Sequence, residues 1–249
     1  MSRMFYRARN FDQNIASWDV SNVTNMDWMF YDAQAFNQNL SSWNVSSVLD
    51  MSYMFADAYN FNGSLTGWNT ASVTNMASMF AYAASFNQDL NTWNVSNVTD
   101  MNEMFVSATA FNGNVSNWNV GNVTNMSRMF FNAAVFGGNL SSWNVSSVTN
   151  MSGMFGDAYV FNSNLSTWDV GNVEDMSGMF AVANAFNADI SSWDVSNVTN
   201  MDWMFASAED FNRDLSGWDV SDLQSPSNFD TGASSWILPK PNFAPPPAP

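Results

Sequence analysis

The sequence predicts an α/β repeat protein: a right-handed solenoid in which each 25-residue repeat adds one short parallel strand and one short helix. Three observations lead to this prediction. Trp recurs nine times at an unbroken step of 25 residues, from Trp18 to Trp218. A Met-x-x-Met-Phe motif keeps the same step, from residues 1–5 to residues 201–205. Within each repeat, the apolar residues change from helical spacing to strict alternation, which indicates two different elements.

The first half of each repeat favours the helix. In one copy, apolar residues at i, i+3, i+4 and i+7 form one helical face, followed by a second Phe: Met26, Met29, Phe30, Ala33 and Phe36. Thr24 or Asn25 precedes this segment and is expected to cap its N-terminus. Because a helix of about two turns is not stable alone in water, we expect neighbouring repeats to hold it in place.

The second half of each repeat favours a half-buried strand. Trp43 and Val45 alternate with polar Ser42, Asn44 and Ser46, as expected for a strand with one face in the core. One strand and one short helix per repeat is the leucine-rich-repeat plan. Identical residues of stacked repeats then form structural columns of Trp, Met, Phe and Ala.

The chain divides into a long array and two short C-terminal segments. We expect the nine-copy solenoid over residues 1–223, a cap over 224–238 and an extended Pro-rich tail over 239–249. Pro226 interrupts the periodicity. Four apolar residues after it are expected to fold over the last repeat: Phe229, Trp236, Ile237 and Leu238.

Composition excludes several classes of function. The formal net charge is −16 with six Lys and Arg residues, which opposes binding to nucleic acid and to anionic membranes. No apolar run is long enough for membrane insertion. The chain has no Cys and no His, so thiolate chemistry and Cys/His metal sites are excluded. No set of unique polar residues breaks the repeat symmetry, so we predict that the protein is not an enzyme and has no cofactor.

One column of carboxylates is a weak candidate for metal binding. Asp169, Asp194 and Asp219 occupy the position between Trp and Val in three successive repeats. Stacked like charges repel, and Ca²⁺ would relieve that repulsion with oxygen ligands. A solvated acidic patch is the favoured alternative, because the sequence contains no recognisable calcium loop.

Other exposed columns are candidates for a contact surface. Trp28 and Trp203 occupy a position that is usually polar, and exposed aromatic residues can mark such surfaces. The five repeats with Asn directly after the repeating Trp add a polar row: Asn44, Asn69, Asn94, Asn119 and Asn144. A regular row of Thr hydroxyls is compatible with binding ice or glycans, but helix capping explains the Thr residues better.

The motif Val-Thr-Asn-Met-x-x-Met-Phe-x-x-Ala-x-x-Phe-Asn-x-x-Leu-x-x-Trp-Asn/Asp-Val resembles the BspA-like leucine-rich-repeat surface proteins. It is most similar to the 25-residue subfamily found in mycoplasma lipoproteins and marine microbes. The resemblance runs from Met1 to about Leu223. Four positions depart from the pattern, each in a single repeat: Leu49, Thr70, Gly137 and Glu174. The resemblance implies a cell-surface or secreted array for adhesion or protein binding.

Two functions therefore remain open. The leading hypothesis is a surface-exposed array that binds a protein or glycan on another surface. The alternative is a structural subunit of an extracellular filament or coat that self-associates end to end, because three basic residues lie in the first repeat and several acids near the last: Arg3, Arg7 and Arg9 against Asp210, Asp214, Asp219 and Asp222. The chain carries neither a recognisable signal nor an anchor, so we expect an extracellular or surface-attached fragment. Because the apolar residues of the first repeat have no preceding repeat to cover them, we expect either further residues upstream of Met1 or a partner docked on that edge.

Overall fold

The structure, a computed structural model, describes residues 1–244. The 25-residue units stack as rungs, with rung 1 at residues 1–25 and rung 9 at residues 201–225. In the described chain there is neither a helix nor a strand longer than one bridge residue. Parallel bridges join the last residue of each rung to that of the next: Asn25, Asp50, Asn75, Asp100, Asn125, Asn150, Asp175 and Asn200.

The predicted helix over residues 26–36 is wrong, because the backbone forms hydrogen bonds between rungs. The N–H groups of Trp28 and Phe30 donate to carbonyl oxygens of the next rung, those of Ser52 and Met54, at 2.9 and 2.8 Å. The intervening N–H groups donate three residues back, as from Ala33 to the carbonyl of Phe30 at 3.0 Å. This alternation gives a series of tight turns, whereas an α-helix would use i→i−4 bonds throughout.

Left-handed residues produce these turns. The third and seventh residues of each rung have positive φ, as Trp28 (56°) and Asp32 (54°) do in rung 2. Sixteen of these eighteen residues in rungs 1 to 9 are not glycine, although the left-handed conformation costs about 1–2 kcal/mol for an ordinary residue. The bonds to the adjacent rungs offset this cost. Because glycine and asparagine are rare at these positions, the sequence contains little sign of the turns.

The core nevertheless contains the residues that the spacing placed there. The predicted structural columns of rung 2 are fully buried over Met26, Met29, Phe30, Ala33 and Phe36. These alternating turns direct into the core the same side chains that a short helix would bury. The two Phe columns lie side by side, with ring centroids 3.9 Å apart between Phe55 and Phe61. Along the stack, Phe55 and Phe80 are 5.6 Å apart.

The predicted strand around Trp43 is also wrong in backbone, although its alternation of burial is correct. Trp43 and Val45 are buried and Asn44 is exposed. The backbone turns there, because the N–H of Trp43 donates to the carbonyl of Leu40 at 3.0 Å. The indole N–H of Trp43 donates to the carbonyl of Ile15 in the previous rung at 3.1 Å. The Trp column therefore also supplies hydrogen bonds between rungs.

An asparagine column runs along the turn that follows the second Phe. The amide oxygen of Asn37 accepts the backbone N–H of Asn62 at 2.8 Å, and Asn62 does the same for Asn87 at 3.0 Å. The column is interrupted at Gly137, whose N–H is bonded to Asn112 at 3.0 Å but which has no side chain to continue the series.

Replacing Gly137 with Asn is expected to raise the free energy of unfolding by about 0.5–1.5 kcal/mol, the net value of one hydrogen bond. The new amide oxygen would accept the N–H of Asn162, as its counterparts do in other rungs. Urea unfolding of the wild type and the Gly137→Asn variant measures this change. Gly137→Ala, which adds a Cβ in open space without an acceptor, is the matched control. Equal stabilisation by Ala would show that the hydrogen bond is not the cause.

The chain after rung 9 forms a tenth, irregular rung. Asn228 (φ 53°) and Gly232 (φ 83°) repeat the left-handed positions. Phe229 and Trp236 are buried and pack on Phe205, with centroid distances of 5.4 and 5.2 Å. In contrast, Ile237 is 84% exposed, and Leu238 also faces solvent. Residues 245–249 of the predicted Pro-rich tail lie outside the described residues.

Candidate binding surfaces

The third, sixth, seventh and ninth residues of each rung form one contiguous surface, which we call the variable face. Contacts between rungs 1 and 2 show its continuity. Arg7 lies over the ring of Tyr6, 5.1 Å from its centroid. Tyr6 in turn lies 6.1 Å from Trp28, and Arg9 pairs with Asp32 at 2.8 Å. Residue type changes from rung to rung on this face, whereas the core columns are nearly uniform.

The variable face collects the side chains that most often dominate protein interfaces. All six tyrosines of the chain occupy it: Tyr6, Tyr31, Tyr53, Tyr59, Tyr82 and Tyr159. Four of the six basic residues do so too: Arg3, Arg7, Arg9 and Arg128. Tyr, Trp and Arg are enriched among residues whose truncation costs most binding energy. This concentration distinguishes the variable face from the Ser-, Thr- and Asn-rich remainder of the surface.

An aromatic ridge covers rungs 1 to 3 of the variable face. Trp28 stacks on Tyr53 with centroids 4.0 Å apart and planes inclined by 12°. Tyr6 stacks on Tyr31 at 5.2 Å and 14°. The guanidinium of Arg3 lies 5.8 Å from the Trp28 ring. Because the rings stack along the solenoid, the faces of neighbouring rings contact one another.

A polar network borders the ridge. The Tyr59 hydroxyl donates to a carboxylate oxygen of Asp57 at 3.3 Å. Burial raises the pKa of Tyr31 and of Tyr59, and the hydrogen bond and charge of Asp57 add to the effect. Both hydroxyl groups therefore remain protonated near neutral pH, and Asp57 is their hydrogen-bond partner.

The second half of the variable face, from rung 6 to rung 9, has fewer large side chains than the first half. Arg128 pairs with Glu103 at 3.1 Å and lies 4.8 Å from the Phe131 ring centroid. The Phe131 ring fills the space above Gly156, where an added Cβ would be only 2.7 Å from it. In rung 8, a Cβ on Gly178 would meet nothing closer than 4.0 Å. The surface is therefore open at rung 8.

The two tryptophans predicted to contact a partner lie on the variable face in different environments. Trp28 is half-buried within the aromatic ridge, whereas Trp203 is 51% exposed. Both occupy a left-handed turn position rather than a helix. The other residues of this face did not emerge from the sequence analysis. The available signal was the variation between copies, together with the occurrence of every Tyr at only four positions of the repeat.

The asparagine row directly after the repeating Trp is exposed but has a structural task. The side-chain oxygens of Asn44, Asn69, Asn94, Asn119 and Asn144 each accept the backbone N–H two residues later, at 3.0–3.2 Å. Such local turns favour Asn and Asp. The amide NH₂ groups still face solvent, so a role in contact remains a prediction for this row.

The aspartates in the same column make the same turns. Asp194 and Asp219 each accept the backbone N–H and the hydroxyl of the Ser two residues later, at 2.7–3.2 Å. Asp169 accepts the N–H of Gly171 at 3.2 Å. Residues 1–244 hold no group of three or more carboxylates placed to bind one metal ion. The structure therefore does not assemble the predicted calcium ligands.

These hydrogen bonds predict a loss of stability in acid. The Ser196 hydroxyl and N–H lower the pKa of Asp194, and Ser221 acts likewise on Asp219. A carboxyl whose pKa is lower in the folded than in the unfolded state contributes stability above about pH 4. That contribution is lost as the pH falls through the folded-state pKa.

We expect the Asp194→Asn, Asp219→Asn double variant to lose less stability than the wild type between pH 6 and pH 3. Asn retains the turn acceptor, as in five other rungs, but does not titrate. The midpoint of urea unfolding at the two pH values measures the difference. An equal loss in both proteins would contradict the assignment.

The threonine column does not cap helices, so that prediction is corrected. The hydroxyl groups donate to the carbonyl of the same position one rung earlier, as from Thr99 to Thr74 at 3.3 Å and from Thr124 to Thr99 at 3.2 Å. These side chains are exposed. Leu49 and Glu174 interrupt the row, which breaks the regular hydroxyl lattice that an ice surface would require.

Solved structures of low sequence identity resemble this chain. A leucine-rich cell surface protein from Faecalibacterium prausnitzii is 11% identical, with 89% of this chain and 77% of that chain covered and a TM-score of 0.43. A leucine-rich-repeat protein from Eubacterium ventriosum is 13% identical, with 80% of this chain and 63% of that chain covered and a TM-score of 0.44. No curated protein matches the chain. No helix in residues 1–244 has the length and apolar character needed to cross a membrane.

A family model supplies the assignment. The model described as "Mycoplasma protein of unknown function, DUF285" matches residues 1–90, 61–164 and 135–237. These overlapping matches span all nine regular rungs. The chain therefore belongs to the DUF285 family, and its resemblance to the BspA-like leucine-rich-repeat proteins is confirmed.

Proposed function

We propose that this chain is a binding array on the outside of a cell, and that its variable face contacts another protein. The observation that carries the proposal is the concentration of all six tyrosines and four of the six basic residues on this one face. Uniform core columns meet the demands of stacking. Variation along this face, which includes the exposed Tyr59, Tyr82 and Trp203, supports a surface whose residues serve recognition.

The geometry of the aromatic ridge favours a protein partner over a glycan. Sugar rings are bound by stacking on a free aromatic face, but the faces of Trp28 and Tyr53 are occupied by each other at 4.0 Å. Ring edges and phenolic hydroxyl groups suit an irregular protein surface, where Tyr offers apolar area together with a hydrogen bond. Location at the cell surface is part of the proposal and is supported by the resemblance to BspA-like surface proteins.

The test uses three exposed aromatic residues of the variable face. A Tyr59→Ser, Tyr82→Ser, Trp203→Ser variant should lose at least tenfold in binding to extracts of surface material, because exposed aromatic anchors dominate such contacts. A Thr99→Ser, Thr124→Ser, Thr149→Ser variant changes the threonine column and should bind as the wild type does. Circular dichroism confirms that both variants remain folded.

Treatment of the extract identifies the class of partner. Protease digestion should abolish binding, whereas periodate oxidation of sugars should leave it intact. The reverse result would assign the face to a glycan. Equal binding by the aromatic variant and the wild type would remove the variable face from the proposed function.

A second candidate is the structural subunit that associates end to end. Apolar side chains exposed in the first and tenth rungs favour it: Met4 at 53% and Trp18 at 36% in rung 1, and Ile237 at 84% in the tenth rung. Covering such surfaces would contribute free energy to stacking between molecules. Polymers that lengthen with protein concentration would support this candidate.

A further inference from the structure

We infer that one partner of the variable face is a second copy of this chain, packed side by side in antiparallel orientation, with rung n opposite rung 10−n. This inference rests on the proposed role of the variable face as a protein contact surface. Two observations fit this register: the opposite charges of the two ends of the face, and the bulky side chains of rung 2 opposite the small ones of rung 8.

The charge pattern fits first. Rung 1 places Arg3 and Arg7 on the variable face, and neither forms an ion pair among residues 1–244. Rung 9 places Glu209 on the face and Asp210 beside it; both are exposed and, in the same described range, also without a salt bridge. In a chain with a net charge of −16, two parallel copies would face each other with like charges. The antiparallel arrangement places the basic end of each copy against the acidic end of the other.

The size pattern fits the same register. The third and sixth residues of rung 2 are the bulky Trp28 and Tyr31, and those of rung 8 are Gly178 and Ala181. The aromatic ridge of one copy would thus lie over the open rung 8 of the other.

The inner rungs do not add to this pattern. Ser78 and Ala81 of rung 4 are already buried within the molecule. In rung 7, Phe131 and Arg128 of rung 6 already cover Gly156 and Gly153, where an added Cβ would lie 2.7 and 3.0 Å from them. The size pattern therefore rests on the pair formed by rung 2 and rung 8.

The centre of the arrangement tolerates its own symmetry. In the proposed register the two-fold axis passes through rung 5, which therefore faces itself. Its variable-face residues include Glu103, whose charge is already balanced by Arg128 at 3.1 Å. Two copies of Glu103 therefore approach the axis with their charges compensated, so the self-facing rung carries no unbalanced acid.

The available area is sufficient for a specific dimer. Nine rungs at about 4.8 Å each give a face about 43 Å long. A strip about 14 Å wide along that length buries about 600 Å² per copy, the lower end for specific interfaces. The six residue steps from the third to the ninth position can span up to about 20 Å.

Cysteine cross-linking of the full 249-residue chain tests the register, because the chain has no Cys of its own. Ser107 is the seventh residue of rung 5, beside the proposed two-fold axis. A Ser107→Cys variant should form a disulfide-linked dimer under mild oxidation. Ser207 is the same position of rung 9 and should face rung 1, so Ser207→Cys alone should not cross-link. An equimolar mixture of Ser207→Cys and Arg7→Cys should form the mixed dimer.

Charge and size variants provide a second test by sedimentation velocity. Arg3→Glu with Arg7→Glu should weaken dimerisation at least tenfold, and adding Glu209→Arg with Asp210→Arg to the same chain should restore it. Gly178→Trp should abolish the dimer by filling rung 8. It should still fold, because Trp28 and Trp203 occupy this position with a similar φ. A Thr99→Glu, Thr149→Glu variant adds negative charge outside the face and should dimerise normally.

Each result decides the inference. Dimers with the cross-linking pattern above support it. Efficient self-cross-linking of Ser207→Cys would overturn the register, and polymers would overturn the closed dimer in favour of end-to-end association. A chain that remains monomeric at about 1 mM would overturn the dimer, because even a very weak contact has a dissociation constant on that order. If that monomer still binds surface proteins through Tyr59, Tyr82 and Trp203, the proposed function stands without the dimer.

Discussion

Replacing Phe105 with Ala is expected to lower the free energy of unfolding by about 3–5 kcal/mol, the usual cost of removing a buried aromatic ring. Phe105 is fully buried. Its ring stacks on Phe80 and Phe130 in the neighbouring rungs, at 5.6 and 5.5 Å, and on Phe111 within its own rung at 3.9 Å. The cavity would lie in the middle of the solenoid, where rungs on both sides hold the surrounding rings in place.

Phe131→Ala is the matched control, since it removes the same side chain one rung later from the variable face. That ring is half-buried and contacts Arg128 at 4.8 Å, so we expect a loss of about 1 kcal/mol or less. Urea unfolding followed by Trp fluorescence measures both variants. Similar losses would mean that the variable face contributes as much to folding as the core does, which would weaken its assignment to binding.

The core could be predicted from the sequence because burial depends on spacing alone. Met26, Met29, Phe30 and Ala33 are buried as predicted, and so is Trp43. The backbone could not be predicted in the same way. An i, i+3, i+4, i+7 pattern is satisfied equally by a helix and by alternating turns, and the choice between them depends on hydrogen bonds to rungs 25 residues away.

Hydrogen bonds between rungs also explain why the sequence does not predict the turns. Val182 has φ 59°, in a conformation that β-branched residues rarely adopt. Its N–H donates to the carbonyl of Ala206 in the next rung at 2.7 Å. Local preference at Val182 favours an extended backbone, so no local rule would have indicated a left-handed turn there. The stack imposes this conformation because every rung must match its neighbours.

The candidate site was predicted only in part for a related reason. Trp28 and Trp203 were identified because Trp is unusual at a polar position. Tyr59 and Tyr82 occupy the ninth and seventh positions of their rungs, which do not belong to the predicted helical face. Their neighbours on the surface come from other rungs, so the sequence does not predict them as contact residues. Contiguity of the variable face follows from the turn geometry, which brings these positions to one side. Only the structure supplied that geometry.

Gly113→Ala is expected to lower the free energy of unfolding by about 2–3 kcal/mol, in the range of overpacked sites. A Cβ at this position would lie 2.0 Å from the backbone carbonyl oxygen of Gln88 in the previous rung. A side-chain rotation cannot relieve that contact, because the clashing atom belongs to the backbone. The Gln88 side chain is itself bonded to Asn62 at 2.8 and 3.0 Å, which further restricts movement of this segment.

Gly217→Ala is the control for Gly113→Ala, because a Cβ at Gly217 would meet nothing within 4 Å. Ala there reduces the freedom of the unfolded chain, so a gain of about 0.4–1 kcal/mol is expected. Thermal and urea unfolding of the two variants should therefore shift in opposite directions from the wild type. A Gly113→Ala protein as stable as the wild type would show that neighbouring rungs can separate locally at little cost. Tight contact between consecutive rungs could then not be what holds the solenoid together.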